Sequence, residues 1–362
     1  MSDDASAKAY WGQLFSKRYW LEAEFGMPPK EPWAPTGEML AYELGKTKPA
    51  RITGQPTSLD MAVSYNATYL EVADSRYMRR GFGGMVFTLL LAPLLFVDML
   101  VLISVFTNRF DSIALSLVLL ALLVIVGASL LLMIGYQWKQ DMLSYTYKPI
   151  RLVRSTRKVH VFRHNGPGGV WSLDWDKLVF CLKKGGLNWG VLGYLPDADG
   201  QVTHALYLGA VMPVHPKGIG PDEPLLAHWE YFRRYMEEGP ASVPAPNYRL
   251  TIENRREPFL YGVHRLWQMF GPFAVLFAPL TTPAGLFRWL GMRMSRLPRW
   301  PAEVDAQCRV APEDAIVRPA KKTYSRVSVA LGTVAMLALD AILLWLLFTQ
   351  VFGADRLLAH GS

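Results

Sequence analysis

The sequence contains few charged residues for its length. Only 19% of the 362 residues are Asp, Glu, Lys or Arg, whereas 51% are hydrophobic, and the mean hydropathy is +0.14. Soluble domains of this size usually carry nearer a quarter charged residues. The shortage excludes a disordered chain and a wholly soluble globule, and it makes the position of the hydrophobic residues the next question.

Cysteine is almost absent, since Cys181 and Cys308 are the only two. Neither belongs to a CxxC motif, and neither has a histidine at the spacing of a metal site. A disulfide-stabilised scaffold is therefore excluded. We expect two reduced thiols, which fit a cytoplasmic domain.

Motifs of catalysis and cofactor binding are also lacking. Residues 197–200 (DADG) lack the alternating ligands and the downstream glutamate of a calcium loop. Residues 166–169 (GPGG), which with Asn165 are predicted to form a turn, lack the Lys-Ser/Thr of a phosphate-binding loop. No nucleophile elbow occurs. We therefore predict a protein that is not an enzyme and that needs no cofactor and no metal.

Three apolar runs hold most of the hydrophobic excess, at residues 84–106, 112–136 and 327–352. Each is long enough to cross the ~30 Å hydrocarbon core of a bilayer. Only five residues, 107–111, separate the first two runs, so these are expected to form an antiparallel hairpin. Because the first run begins more than eighty residues into the chain, no cleavable signal peptide is expected.

Basic residues orient these spans. Arg76, Arg79 and Arg80 precede the first run, and Lys321, Lys322 and Arg326 precede the last. Lys and Arg are retained on the cytoplasmic side of a membrane. The region between the hairpin and the last run, residues 137–326, carries 26 basic and 16 acidic residues, a net charge of +10. The predicted topology is three spans, with the N-terminus inside and a short C-terminal tail outside.

Residues 270–290 are apolar enough to cross, but prolines and glycines interrupt them. Crossing would place eight following basic residues outside, against the positive-inside rule. We expect an amphipathic interfacial helix at 284–300, with a re-entrant loop or a true span as alternatives. On a helical wheel one arc holds Leu286, Phe287, Leu290, Met294 and Leu297. The other side of the wheel holds Arg288, Arg296 and Arg299. The candidate membrane-surface residues are Arg288, Trp289, Arg293, Arg296, Arg299 and Trp300.

Between residues 149 and 212 the hydrophobic pattern alternates with period two, which predicts six strands separated by turn signals. Hairpin follows hairpin, so the sheet is an antiparallel meander. A helix is expected from Asp222 to Gly239, with its apolar stripe at Leu225, Trp229, Phe232 and Met236. This order of elements is that of a pleckstrin-homology-like barrel.

The predicted fold class is thus an α+β integral membrane protein with three transmembrane helices and a cytoplasmic β-meander capped by one helix. The expected segments are a cytoplasmic N-terminal segment (1–82), a transmembrane hairpin (83–137), the pleckstrin-homology-like domain (138–245), a basic linker with the interfacial helix (246–325), a C-terminal transmembrane helix (326–352) and a periplasmic tail (353–362).

Asp98 and Asp340 each lie near the middle of a predicted span. An intramembrane carboxylate costs a few kcal/mol to insert, so it is a candidate functional group by default. The two could form a proton or cation site, but no basic partner and no polar stripe accompanies them. The favoured interpretation is that each of these carboxyl groups is protonated or hydrogen-bonded to a neighbouring side chain.

The stretch RLVRSTRKVHVFRHNGPGGVWSLDWDKLVFCLKKG (151–185), the hairpin of spans and the stretch LLAHWEYFRRYMEEGP (225–240) together resemble domain-of-unknown-function family 6708. The resemblance covers about residues 60–300, and its motifs are structural. It implies a Gram-negative inner-membrane protein that is often encoded beside type VI secretion effectors. It carries no catalytic residue.

Two functions follow as expectations. The first, which the resemblance implies, is an immunity or accessory protein that binds a type VI secretion effector. The alternative is a lipid-binding or structural membrane module, with an ion or proton pathway as a weaker third option. The expected partners are membrane lipids and a secreted toxin or secretion component, not nucleic acid, and a homo-oligomer is left open. The expected location is the bacterial inner membrane, multi-pass, with the main domain in the cytoplasm.

Overall fold

A computed structural model of the chain describes residues 33–107, 113–185, 188–213, 223–246, 256–263 and 278–310, with scattered positions between 327 and 345. The chain divides into two compact units. The β-rich unit comprises Met1–Met78, Tyr147–Thr251 and Leu297–Lys321, and the hairpin unit comprises Arg79–Thr146, Ile252–Arg296 and Lys322–Ser362. Most of the predicted third span, including Asp340, lies outside the described residues.

Nine strands of the described residues form two antiparallel sheets in the β-rich unit. The first sheet has the order β2-β3-β4-β5-β6, with β2 at Ala62–Tyr65, β3 at Tyr69–Val72, β4 at Ile150–Val153, β5 at Lys158–Phe162 and β6 at Val170–Asp174. The second has the order β1-β7-β8-β9, with β1 at Glu43–Leu44, β7 at Val179–Gly185, β8 at Asn188–Pro196 and β9 at Val202–Pro213. The six predicted strands and the antiparallel character of their pairing are confirmed. The prediction of one continuous meander is wrong, because β6 and β7 belong to different sheets.

Three of these strands come from the N-terminal segment, where no strand was predicted. A short helix, α1 at Gly37–Ala41, precedes β1, and β3 pairs with β4 in the register Leu70↔Leu152. The whole hairpin of apolar helices therefore lies in the chain between two adjacent strands. Strands of two to four residues are too short to show a periodic pattern, which explains why the sequence did not reveal them.

One amphipathic helix, α5 at Glu223–Glu237, packs on β8 and β9. All four residues of its predicted stripe are buried: Leu225, Trp229, Phe232 and Met236. The Trp229 ring stacks on Trp175 at 6.1 Å and lies 4.8 Å from Phe180, centroid to centroid. The predicted capping helix is thus confirmed, and its aromatic residues form the core of the unit.

The hairpin unit contains two long apolar helices, α3 at Phe82–Thr107 and α4 at Ile113–Asp141, preceded by the short helix α2 at Arg76–Arg79. Both are long and apolar enough to cross a membrane. Their sides carry exposed hydrophobic residues, such as Leu90 and Leu132, which are 64% and 73% exposed. Such a surface suits lipid rather than water. Two of the predicted spans are therefore confirmed as helices of spanning length and composition.

Polar contacts join the ends of the two helices. The Gly84 N–H donates to Asp141 Oδ2 at 2.6 Å, which satisfies a backbone donor in the first turn of α3. The Trp138 indole N–H donates to Thr88 Oγ1 at 2.8 Å, and the Thr88 hydroxyl donates in turn to Gly84 O. The pairing of α3 with α4 is thus fixed at this end of the hairpin.

A third helix of the hairpin unit, α6, covers Ala278–Met294. It begins and ends earlier than the predicted helix at 284–300. Pro298 disfavours helical backbone at Leu297. The Arg256 guanidinium donates to the carbonyls of Arg293 and Ser295, so it satisfies backbone acceptors at the end of the helix. Arg296, Arg299 and Trp300 therefore follow the helix instead of lying on it.

Candidate functional site

A groove of about 570 Å³ opens in the β-rich unit beside the turn that joins β5 to β6. This volume is in the range of sites that hold a small molecule or a short piece of polypeptide. One wall consists of the turn at 164–169 with Val170 and Ser172 of β6. The other consists of 299–301 and the first turn of α7, the short helix at Ala302–Gln307.

Glycine shapes the first wall. The Arg163 and His164 N–H groups both donate to Gly169 O, and the Gly169 N–H donates back to Gly166 O. A β-carbon on Gly169 would lie 1.9 Å from His164 O, which no other residue can accommodate without moving the turn. The glycine-rich stretch, predicted only to be a turn, therefore forms a compact wall of fixed shape.

Asn165 ties the two walls together. Its side-chain Nδ2 donates to Leu297 O at 3.1 Å, and its Oδ1 accepts from the Arg299 N–H at 2.9 Å. One amide side chain thus satisfies a backbone acceptor and a backbone donor of the opposite wall. The width of the groove at this end is set by Asn165.

A buried cluster holds the second wall on the first sheet. The Arg151 guanidinium forms an ion pair with Glu71 and donates to Asp305 Oδ1 at 2.7 Å. The Trp300 indole N–H donates to Glu71 Oε2 at 3.1 Å, and the Trp300 ring lies 4.6 Å from Arg151 Cζ. The side chains of Arg151 and Glu71 are 7% and 4% exposed, so these contacts form in a low-dielectric environment. These contacts hold the second wall against the first sheet.

The positive charge of Arg151 is stable near neutral pH. Burial by itself lowers the pKa of Arg151, but the Glu71 carboxylate and its hydrogen bonds raise the pKa above the usual value for arginine. Burial also raises the pKa of the Cys308 thiol, in spite of the neighbouring Arg151. Cys308 is therefore a neutral packing residue, as expected for a reduced thiol.

The edge of β6 is open on the side that lines the groove. Within the described chain β6 pairs with β5 alone. The bonds Arg163 N–H to Gly169 O and Trp175 N–H to Arg157 O show that odd-numbered residues of this strand face β5. Because alternate residues of an antiparallel strand point to opposite sides, the backbone groups of Val170 and Ser172 face away from β5. No described strand pairs with them.

His160 lies beneath the same wall. It is completely buried, and its Nδ1 is 2.8 Å from Ser172 Oγ. Burial lowers its pKa to about 4, so the ring is neutral at pH 7. His228 is likewise buried on α5, with its pKa lowered by burial to about 4. Both are packing residues. Among the described residues no group of three or more His, Cys, Asp or Glu side chains is placed to hold a metal ion.

The structure divides the predicted surface residues between the two units. Arg299 lines the groove, and Trp300 belongs to the buried cluster with Arg151. Arg288, Trp289, Arg293 and Arg296 lie in the hairpin unit. Arg288 was placed on the polar side of the predicted helix, but it is completely buried in an ion pair with Glu257. The reason is that Glu257, on the separate segment 256–263, pairs with the guanidinium on the inner side of α6.

The two intramembrane candidates are not brought together by the described part of the chain. Asp98 is partly exposed on α3, and a β-carbon on Gly127 of α4 would lie 2.7 Å from its Oδ2. Asp98 therefore sits against a glycine of the neighbouring helix. Asp340 lies outside the described residues.

Several residues that build the groove were not singled out from the sequence. Asn165 was read only as part of a turn, and Glu71 and Asp305 were not considered. A charged residue between Leu70 and Val72, inside an apolar strand, is the one signal that could have pointed to a buried ion pair. Its partner, 80 residues away along the chain, is visible only in the fold.

Comparison with known proteins gives one family. Residues 217–312 match the model of DUF6708, which is described as a family of unknown function. No curated protein and no solved structure matches the chain. The matched part contains α5, α6 and the second wall of the groove, but not the stretch at 151–185. The predicted resemblance to this family of unknown function is therefore confirmed, with the match at residues 217–312.

Proposed function

We propose that this chain is a non-enzymatic, membrane-anchored binding protein whose β-rich unit holds an extended segment of a protein partner. The observation that carries the proposal is a groove whose walls are joined by polar contacts and whose first wall includes an edge of β6 that pairs with no described strand. An extended peptide can pair with the exposed backbone groups of such an edge while its side chains enter the adjoining groove. The backbone of Val170 and Ser172 would supply the pairing.

The chemistry at the mouth of the groove favours a polar segment. Arg299 is exposed at the mouth, and Glu303, also exposed, stands on the same wall. Trp300 and Val304 add apolar surface behind them. Mixed walls of this kind suit a peptide with alternating side chains better than a purely apolar ligand. The fixed walls reduce the entropy lost on binding.

The proposed location is the inner membrane, with the β-rich unit in the cytoplasm. Arg76, Arg79 and Arg80 before α3 and Lys139 at the end of α4 are at the same end of the hairpin, which favours that end as the cytoplasmic one. We further propose that residues 327–352 form a third span and that the β-rich unit has a pleckstrin-homology-like barrel fold. The two antiparallel sheets with one packed helix support such a barrel.

The proposed partner is a type VI secretion effector, with this chain as its immunity or accessory protein. The support is the resemblance to family 6708 and the groove that could hold a segment of the effector. The alternative function is a lipid-binding or structural membrane module. The exposed apolar side chains Leu286 and Met294 of α6 favour a contact with lipid, separate from the contact that the groove would make with a protein partner.

The test uses the full chain in detergent and a candidate effector chosen from the products of the genes that flank its own. Ser172→Pro removes the one N–H of β6 in the middle of the open edge, and the bond pattern shows that β5 does not use it. We expect this variant to bind the effector at least tenfold more weakly and to lose protection against toxicity.

Ser172→Ala is the matched control, because it also removes the contact of Ser172 Oγ with His160 but keeps the backbone N–H. It should bind as the natural chain does. Equal binding by the proline variant would refute the use of the edge. Absence of binding by the natural chain, with no loss of toxin resistance on deletion of the protein, would refute the effector as partner.

A further inference from the structure

The polarity of α6 is opposite to that of a helix on the surface of a soluble protein. Leu286 and Met294 are each 46% exposed, and Phe287, Trp289 and Leu290 are partly exposed. The side facing the rest of the hairpin unit contains three small residues, one methionine and one charge: Ala284, Gly285, Gly291, Met292 and Arg288. A helix in water normally turns its leucines inward and its arginines outward.

Close packing makes this orientation obligatory. Arg288 is completely buried, with its Nε 2.7 Å from Glu257 Oε2. A β-carbon on Gly291 would lie 2.9 Å from Asp141 O, and one on Gly81 would lie 2.5 Å from Arg288 Cα. Rotation of α6 by half a turn would bring leucines against these backbones and expose an unpaired Glu257. The apolar side is therefore held outward by the fold.

The outward side of α6 is continuous with the apolar surface of the hairpin. Phe287 of α6 is partly exposed and packs, together with Phe82 and Val86 of α3, against the buried pair Ala284 and Met85. The Phe287 ring lies edge-on to Trp138, 6.4 Å between centroids. These contacts are at the first turn of α3 and near the end of α4, where the apolar run stops. Aromatic residues concentrate at this level of a membrane protein, the boundary between headgroups and acyl chains.

Cationic side chains gather at the C-terminal end of the same helix. The Arg293 guanidinium lies 5.7 Å from the centroid of the Trp289 ring, and Arg256 donates to Arg293 O at 2.7 Å. Arg293 and Arg296 are exposed. Guanidinium groups that flank an apolar helix face match the phosphate layer of a membrane with anionic lipids.

We propose that α6 is an in-plane membrane anchor that binds anionic phospholipid. Leu286, Trp289 and Leu290 enter the boundary between headgroups and acyl chains, while Arg293 and Arg296 contact the phosphates. Arg288 does not contact lipid, because it is buried in the ion pair with Glu257 that holds the helix on the hairpin. The partner is thus the surface of a bilayer that contains a lipid such as phosphatidylglycerol.

The depth of α6 can be measured on the full chain in nanodiscs of phosphatidylcholine and phosphatidylglycerol. Both native cysteines are buried, so single spin labels can be attached at Leu286→Cys and Leu290→Cys. We expect these labels to be accessible to oxygen and shielded from a water-soluble nickel reagent. Leu90→Cys on α3 provides the lipid reference, and Leu40→Cys, 57% exposed in the β-rich unit, provides the water reference.

A second measurement tests the lipid charge. The Arg293→Gln/Arg296→Gln variant should bind phosphatidylglycerol about 25-fold more weakly in native mass spectrometry of the full chain, at roughly fivefold per arginine. The matched control, Lys158→Gln/Lys177→Gln in the β-rich unit, removes the same charge and should bind as before.

The outcomes separate this inference from the proposed function. The anchor would be overturned if the labels on α6 were as accessible to the nickel reagent as the label at Leu40→Cys, while the label at Leu90→Cys was shielded from it. That result would leave the membrane hairpin and the groove unaffected. A label at Leu90→Cys that was accessible to the nickel reagent would overturn the membrane hairpin as well. Equal binding of phosphatidylglycerol by the Arg293→Gln/Arg296→Gln variant and its lysine control would overturn the preference of α6 for anionic lipid.

Discussion

The Arg288 guanidinium and the Glu257 carboxylate form a two-bond ion pair that is closed to solvent. Nε lies 2.7 Å from Oε2 and Nη2 lies 2.9 Å from Oε1, with side chains 1% and 2% exposed. This fork-to-fork geometry satisfies both carboxylate oxygens. The pair fixes α6 on the hairpin, so it decides which side of that helix faces outward.

Removing one partner of this pair should destabilise the hairpin unit. Glu257→Ala leaves the Arg288 charge buried without its carboxylate, at a cost of about 3–5 kcal/mol. Glu257→Ala/Arg288→Met should recover much of that loss, because no buried charge remains. Thermal unfolding of the full chain in detergent, followed by tryptophan fluorescence, measures both. A double variant no more stable than Glu257→Ala would contradict the explanation.

The two carboxylates that contact Arg151 should differ in their importance. Glu71 is 4% exposed and Asp305 is 57% exposed. Glu71→Gln leaves a buried guanidinium without its main counter-charge and should cost about 3 kcal/mol. Asp305→Asn, at an exposed position, should cost less than about 1 kcal/mol. Unfolding of both variants under the same conditions gives the comparison, and equal losses would refute this assignment of the charges.

Gly169→Ala should disrupt the first wall of the groove. The added methyl group would collide with His164 O, so the turn must move and Asn165 must lose contact with Leu297 and Arg299. We expect faster hydrogen exchange at 163–170 and weaker binding of the partner. Gly37→Ala is the control, because nothing lies within 4 Å of its added carbon. Unchanged exchange in Gly169→Ala would show that the turn tolerates a side chain.

Two buried histidines should make the β-rich unit less stable in mild acid. Burial lowers the pKa of His160 and of His228 to about 4, whereas an unfolded histidine titrates near about 6.5. Between these values the unfolded chain binds more protons, so stability is complete above about pH 6.5 and falls as the pH drops toward 4. The loss at pH 5 should be about 2 kcal/mol for each histidine.

Unfolding midpoints at pH 7.5 and pH 5 test this expectation. His228→Gln should be less stable than the natural chain at pH 7.5 but should lose less on acidification. Equal stability of the natural chain at both pH values would contradict the burial of these rings. A steeper loss in the glutamine variant would contradict it as well.

The sequence predicted the elements with long or regular patterns. Two apolar helices, six strands and the α5 stripe were predicted, because each pattern extends over enough residues to be read locally. The strands β1 to β3 were missed, since they are stabilised by pairing with distant partners such as Leu152. The end of α6 was also misplaced. Its capping group, Arg256, lies 37 residues from the carbonyl of Arg293 that it contacts.

The sequence by itself thus determined composition, the hairpin of apolar helices and the antiparallel β-rich character of the chain. Only the tertiary structure decided which charges are buried and where a groove opens. A helical wheel assigns Arg288 to a polar surface, because it cannot include Glu257 on another segment. Likewise, the wall of the groove depends on Asn165 and Arg299, which are 134 residues apart. Burial and pairing are properties of contacts between distant segments, and local patterns do not contain them.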